Sequence, residues 1–469
     1  MKIIFGYDVM TYNGEIPNCL HPKFLNTIYE ASDFDYSMSG EHFQKRWNMN
    51  WHIYNSNFWN DYVEKKSVYD IVNNYKDAKW FYPVEPFGSI ESFFGNGGNL
   101  FNDLVLKQIS KVALDEIKNG NGNLLINYIV DGGLGITKSN FKKLINFTKE
   151  NGIPDEKVFL IFQDFKLKKN LEKLGVNYNV IDFNLAHLSK SQEFNNIINN
   201  PDFRFWGDNS HEPQVGKAES NKNSILLNDE FLNTIGKERV DYLYLCRHWK
   251  LHRLLVLSKL HKMGKLFTDN ISWDKRFYHE NVITEFEKHD DNKELSNIVK
   301  ATSRYLDVED LTKIAGYGFE TKDMYASSYL SLVSESIFFQ IREEEDVYVE
   351  FPTGYLSEKI WKPIGHSHPF ILIGPAKSLE YIRNMGYKTF HPYIDESYDI
   401  ENDDFKRLEM IIGEIEKFSK KTKEEKDQFL ADIADILKHN QSLFLNYSKN
   451  KFRDDCKSVI KNLIEESLI

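Results

Sequence analysis

Five basic residues crowd one short stretch, Leu245-Cys246-Arg247-His248-Trp249-Lys250-Leu251-His252-Arg253. The apolar run Val240 to Cys246 reads as a strand that ends there. A helix is expected from Trp249 or Lys250 to Met263, closed by Gly264. Cations in the first turn of a helix oppose its dipole by about 0.3–1 kcal/mol each. An anion at that helix start would remove the conflict, because free N–H groups and the side chains of Arg247, His248 and Arg253 would face it together. Diphosphate suits such a site. The plainer alternative is a solvated basic patch, or arginines paired with acids elsewhere.

A second device of the same kind is Tyr355-Leu356-Ser357-Glu358-Lys359-Ile360-Trp361-Lys362-Pro363. Ser357 is a good N-cap, and Lys359 and Lys362, three apart, share a helix face. Glu358 could accept two ribose hydroxyls, or could simply complement the dipole of an N-capped helix whose lysines are solvated. Glu335 closes a third signal, the strand Tyr329 to Ser334. An acid there must be solvated, bonded to a ligand, or paired with an arginine. The fourth is Asp131, which ends the run Leu124 to Val130 and opens the loop Gly132-Gly133-Leu134-Gly135. A carboxylate at a strand's carboxyl edge suits a general base, while a turn-forming acid among loop glycines is the structural reading.

These residues need strands and helices to hold them. Strands are expected at Lys2 to Tyr7, Asn123 to Val130, Lys157 to Phe162 and Asn177 to Ile181, with a helix at Asn140 to Asn151. The polar segment Asn199 to Asn223 reads as a long loop. Beyond it come the strands at Val240, Tyr329 and Phe370, with helices between them. From about Asp404 the chain is charged and helix-favouring, and the run Lys420 to Lys426 reads as a solvated helix start. The expected architecture is α/β, with two Rossmann-like domains, 1–235 and 236–469, facing a cleft, and a helical C-terminal tail.

Composition narrows the classes. A chain of 469 residues with net charge −11 is not a generally basic nucleic-acid-coating protein, although a local basic groove is compatible with it. The three cysteines, Cys19, Cys246 and Cys456, form neither a disulfide framework nor a cysteine-rich zinc module, and suit a reducing compartment. No stretch reaches the ~18 apolar residues of a membrane span, and the first residues read as a strand rather than a signal peptide, so a cytoplasmic protein is expected. There is no G-x-G-x-x-G, Walker A, G-x-S-x-G or H-E-x-x-H pattern. His366 and His368 could be metal ligands, but read better as polar residues entering a strand. The aromatic residues Trp47, Trp51, Trp59, Trp80, Tyr82 and Phe93 read mostly as core, with stacking on sugars or bases as the alternative.

Taken in order, the basic strand-to-helix turn, the Ser334-Glu335-Ser336 strand end, Leu356-Ser357-Glu358-Lys359-Ile360-Trp361-Lys362-Pro363-Ile364 and the strand Pro369 to Gly374 resemble GT-B glycosyltransferases. The likeness is to the donor-binding half of the fucosyltransferase-like group and to phage-encoded sugar transferases, including DNA-modifying ones. It covers about residues 240–400, with a weaker echo over 124–165. The resemblance implies an inverting, metal-independent enzyme that moves a sugar from a nucleotide-diphosphate donor to an acceptor hydroxyl. That hydroxyl would be on a hydroxylated base of phage DNA, or on a glycan or protein. It implies that Arg247 and Lys359 hold the diphosphate, Glu358 the ribose, and that Glu335 touches sugar or nucleotide. His248, Arg253 and Lys362 complete the donor set, Asp131 is the available base, and no metal or further cofactor is called for. Ser336 stands where the fucosyltransferase pattern has Asn. A catalytically silent nucleotide-sugar or nucleic-acid binder would keep the basic turn and lose the base.

Overall fold

The computed structural model describes residues 3–7, 63–84, 109–128, 138–182, 184, 186–187, 190–191, 194–195, 198, 225–246, 248–275, 279–304, 322–339 and 354–447. Asp131, Arg247, the glycine loop after Asp131, Trp47, Trp51, Trp59, Phe93, Cys19, Cys456 and the whole polar segment 199–223 lie outside the described residues. The chain divides into two compact units, each an α/β unit built on its own parallel sheet.

Among the described residues of the first unit, six strands, β1 (Ile3–Tyr7), β2 (Val63–Ser67), β3 (Trp80–Val84), β4 (Gly122–Tyr128), β5 (Val158–Phe162) and β6 (Asn179–Asp182), pair in parallel in the order β2-β1-β3-β4-β5-β6. Helices α1 (Val68–Asn74), α2 (Lys111–Asn119), α3 (Lys138–Glu150) and α4 (Leu167–Lys173) accompany them. Ser67 and Ser110 accept from backbone N–H groups at the starts of α1 and α2, the expected work of an N-cap serine. Leu124, Ile126, Val158, Leu160 and Phe162 pack with Ala113, Ile117, Phe141, Leu144, Leu167 and Leu171 in one core. Phe81, Leu125 and Phe159, on the opposite face, are buried as well, which is why these strands read as continuous apolar runs. Trp80 sets a steric condition on its neighbours. A Cβ on Gly6 or Gly122 would stand 2.3 Å or 2.8 Å from its indole, so only glycine lets the two backbones approach.

The second unit carries β7 (Val240–Cys246), β8 (Asn270–Trp273), β9 (Ser328–Ser334) and β10 (Phe370–Ile373), all parallel, in the order β10-β9-β7-β8. Its helices are α5 (Asn228–Leu232), α6 (Leu251–Lys262), α7 (Glu280–His289), α8 (Lys293–Ala301), α9 (Lys322–Ala326), α10 (Glu358–Gly365), α11 (Ser378–Asn384), and a C-terminal series α12 (Asp404–Ser419), α13 (Lys423–Asp432) and α14 (Ala434–Leu445). All seven residues of β9 and all four of β10 are buried. The described residues from 186 to 235 belong with this unit, earlier than the junction near 235 that composition suggested. Hydrogen bonds hold them there: Ser191 Oγ to the Phe444 carbonyl at 2.7 Å, the Leu226 amide to His366 Nδ1 at 3.1 Å, and the Asn228 amide to Gln441 at 2.8 Å.

The run Lys420 to Lys426 starts α13 as expected, with Thr422 and Glu425 forming a capping box. It is not wholly solvated, however. Lys426 is buried and donates to Asp241 at 2.6 Å, and Lys265 reaches the same carboxylate at 2.7 Å. Among the described residues, no helix is long and apolar enough to cross a membrane.

Candidate functional site

In an open parallel sheet, ligands bind beyond the carboxyl ends of the strands, at the point where the chain stops adding strands on one side and starts on the other. In the second unit β8 lies on one side of β7, and β9 and β10 on the other, so that point falls between β7 and β9. The basic turn follows β7, and Glu335 follows β9. Two of the sequence signals therefore meet at one crevice because of strand order, although they are about 80 residues apart in the chain.

The basic turn is not a set of cations facing outward. Lys250 is the N-cap of α6, and His252 and Arg253 in its first turn are buried. Arg253 donates Nη1 to the His248 carbonyl at 2.8 Å, and Nη2 to the Ser334 and Glu335 carbonyls, each at 3.1 Å. It thus spans the crevice from the loop after β7 to the loop after β9. His252 donates from Nε2 to the same Glu335 carbonyl at 3.1 Å and stacks on Phe338. Burial, then the charges of Arg253 and Lys250, hold the His252 imidazole well below its usual range, so it is neutral at physiological pH. For Arg253, carbonyl oxygens relieve the conflict with the helix dipole. Of the remaining basic residues, His248 is exposed and Arg247 lies outside the described residues. Cys246, at the end of β7, is buried. Burial pushes its thiol up to about 11, which leaves it a packed, protonated side chain.

The second and third signals form a single cluster. Glu335 has no exposed surface. Its amide donates to the Ile373 carbonyl of β10 at 2.9 Å. Its Oε2 accepts from the Ser357 amide at 3.0 Å and from the Ser357 hydroxyl at 2.5 Å, while Oε1 is buried without a hydrogen-bond partner. Burial pushes its carboxyl above the usual range, against the opposing effects of Lys359 and Ser357. Ser357 caps α10, accepting from the Lys359 amide at 3.3 Å. The Lys359 ammonium reaches three acceptors: Glu358 Oε1 at 3.0 Å, Ser357 Oγ at 3.1 Å and Ser336 Oγ at 3.3 Å. Burial would raise the Glu358 carboxyl, but Lys359, Lys362 and Lys190 outweigh it and bring it down to about 2. Glu358 is therefore ionised at neutral pH and can accept hydroxyl protons.

Two contributors were not among the residues picked out from the sequence. Lys190 is buried in the segment that opens the second unit, and its charge acts on Glu358. Arg407 is buried on α12 and donates to the carbonyls of Gly374 at 3.3 Å, Glu401 at 2.9 Å and Phe338 at 3.2 Å, and to Asp404 at 2.5 Å. Arg253 and Arg407 thus hold the backbone at the two ends of the segment Ser334 to Phe338. A hint of Arg407 was available: it continues the apolar stripe of Ile411 and Ile415 at four-residue spacing, where a solvated arginine has no place. His366 and His368 are packing residues. His366 stacks on Tyr325 with centroids 4.1 Å apart, and His368 bonds Ser331 Oγ at 2.9 Å.

No protein-family model matches the sequence, and comparison with curated proteins and with solved structures finds no match.

Proposed function

We propose that the protein is a glycosyltransferase whose second unit binds a nucleotide-diphosphate sugar at the carboxyl ends of β7 and β9. The observation that supports this best is the cluster of Glu335, Ser336, Ser357, Glu358 and Lys359 at the carboxyl end of β9, with Lys359 partly exposed and Glu358 ionised. An ionised carboxylate next to an ammonium matches a ribose beside a diphosphate. Glu358 would accept the two ribose hydroxyls, and Lys359, with Lys362 and Arg247, would face the phosphate oxygens. Lys359 already has an acceptor for each of its three N–H donors, so the diphosphate would replace one of them. The contact to Ser336, the longest, is the one expected to yield, and its freed hydroxyl could then donate to the same anion.

In the proposed reaction the bond between the anomeric carbon and the diphosphate oxygen breaks. The acceptor oxygen bonds that carbon from the opposite face, and the acceptor's proton passes to a carboxylate, for which Asp131 is the candidate. Configuration inverts, and no covalent sugar–enzyme bond is needed. Negative charge grows on the departing diphosphate, and fixed cations would stabilise it in the role that a metal ion plays elsewhere. The acceptor is a hydroxyl. The resemblance to phage sugar transferases points to a hydroxylated base, which a duplex would have to present flipped out of the stack.

A thermal-shift screen of the intact chain with UDP-, GDP-, CMP- and dTDP-sugars tests the reading and names the donor. A concentration-dependent rise in Tm with one nucleotide class is expected. A flat response to all four would remove the basis for a donor site.

A further inference from the structure

Glu335 lies too deep to reach a sugar by its own side chain, yet it is bonded to the residue that cradles Lys359. A serine hydroxyl has one proton and two lone pairs. With its proton committed to Glu335 Oε2 at 2.5 Å, Ser357 Oγ has its lone pairs left for lysine, and both the amide and the ammonium of Lys359 take them, at 3.3 Å and 3.1 Å. Were the hydroxyl to rotate away from Glu335, its proton would point into the α10 start and oppose both contacts. Glu335 is itself immobile. Its amide bonds β10, its carbonyl accepts from His252 and Arg253, and Arg407 holds the segment's far end at Phe338. Gly374 packs on it closely enough that an added Cβ would stand 3.5 Å from Glu335 Cγ. The cluster thus runs from a backbone fixed on two sides, through one oriented hydroxyl, to a partly exposed ammonium.

We propose that Glu335 is a positioning residue for phosphate binding, acting through the Ser357 hydroxyl to set the place of the Lys359 ammonium beyond the carboxyl end of β9. This rests on the reading of the site as a diphosphate site and deepens it: Glu335 itself touches neither sugar nor nucleotide. The role belongs to the hydrogen-bond acceptor rather than to the negative charge, which by itself would oppose an anion nearby. A glutamine, whose amide oxygen can accept from Ser357, should therefore serve, whereas a methionine of similar size should not.

The test is calorimetric titration of the full chain with inorganic pyrophosphate and with UDP, GDP, CDP and dTDP, for the wild type, Glu335→Met, Glu335→Gln and each of these combined with Lys359→Met. Affinity is expected to fall about tenfold in Glu335→Met, the scale of one hydrogen bond to a charged group, and to return to within about twofold of wild type in Glu335→Gln. In the Lys359→Met background, Glu335→Met should cost no further affinity. Equal losses in the Met and Gln variants, or a Glu335→Met loss that persists without Lys359, would overturn the proposal while leaving the diphosphate site standing. Failure of the wild type to bind pyrophosphate or any of the nucleotides would overturn the diphosphate reading itself, and the positioning role with it. If Glu335→Met does not fold, Ser357→Ala against Ser357→Thr asks the same question in both Lys359 backgrounds. The hydroxyl of threonine is then expected to restore what alanine loses, and its failure to do so counts against the proposal.

Discussion

Glu358 and Lys359 are neighbours in sequence and form an ion pair 3.0 Å long, but the pair does not stand alone, since Lys362 and Lys190 add positive charge around the one carboxylate. Against the pull of burial, those cations bring Glu358 from the ordinary 4.5 down to about 2. A carboxyl depressed by folding stabilises the fold above its unfolded value and loses that contribution as pH falls through the folded one. The stability gap between wild type and Glu358→Gln, from urea midpoints, should accordingly be widest above pH 4.5 and close toward pH 2. A gap independent of pH would show that the cations do not act on this group. At this scale the sequence was informative about residue types and much less so about partners. Ser357 as a cap and Glu335 at a strand end could be read from spacing. That one accepts the other's hydroxyl proton could not, because the bond joins positions 22 apart through strand and loop placement.

Among the elements, β4, β5, β7, β9 and β10 announce themselves as apolar runs because both faces of a parallel sheet are covered. β2, Val-Glu-Lys-Lys-Ser, gives no such signal; it is an edge strand, where charges are tolerated and discourage further pairing. β3 contains Pro83, which argues against a central strand, yet its ladder with β1 covers only Trp80 and Phe81 and so does not call on the proline for an N–H. The basic turn shows the opposite case. Its residues were conspicuous, but that Arg253 bonds carbonyls at a distant strand end could not be read from them. Attachment of α13 to β7 depends on Asp241, which holds both the buried Lys426 and Lys265. Asp241→Ala leaves Lys426 buried without its carboxylate and should cost about 3–5 kcal/mol of unfolding free energy. Asp241→Leu combined with Lys426→Met should recover most of that loss in the same denaturant titration, because an apolar pair needs no compensating charge.

For the whole molecule, the overall net charge of −11 hides a local arrangement of opposite sign, in which Lys190, Lys359 and Lys362 surround Glu358 in the second unit. If these fixed cations carry the leaving-group charge, sugar transfer should proceed unchanged in EDTA; loss of turnover that Mg²⁺ restores would assign that charge to a metal instead. The division into two parallel-sheet units, and the strand order that puts the loops after β7 and β9 side by side, concentrate the donor question on one crevice. The most direct measurement there is calorimetry of the intact chain with the nucleoside diphosphate that raises its Tm, comparing wild type with Lys359→Ala. Loss of a charge-assisted contact predicts an affinity at least about tenfold weaker in the variant, with its unfolding temperature little changed. Equal affinity in the two proteins would contradict a diphosphate site built on Lys359.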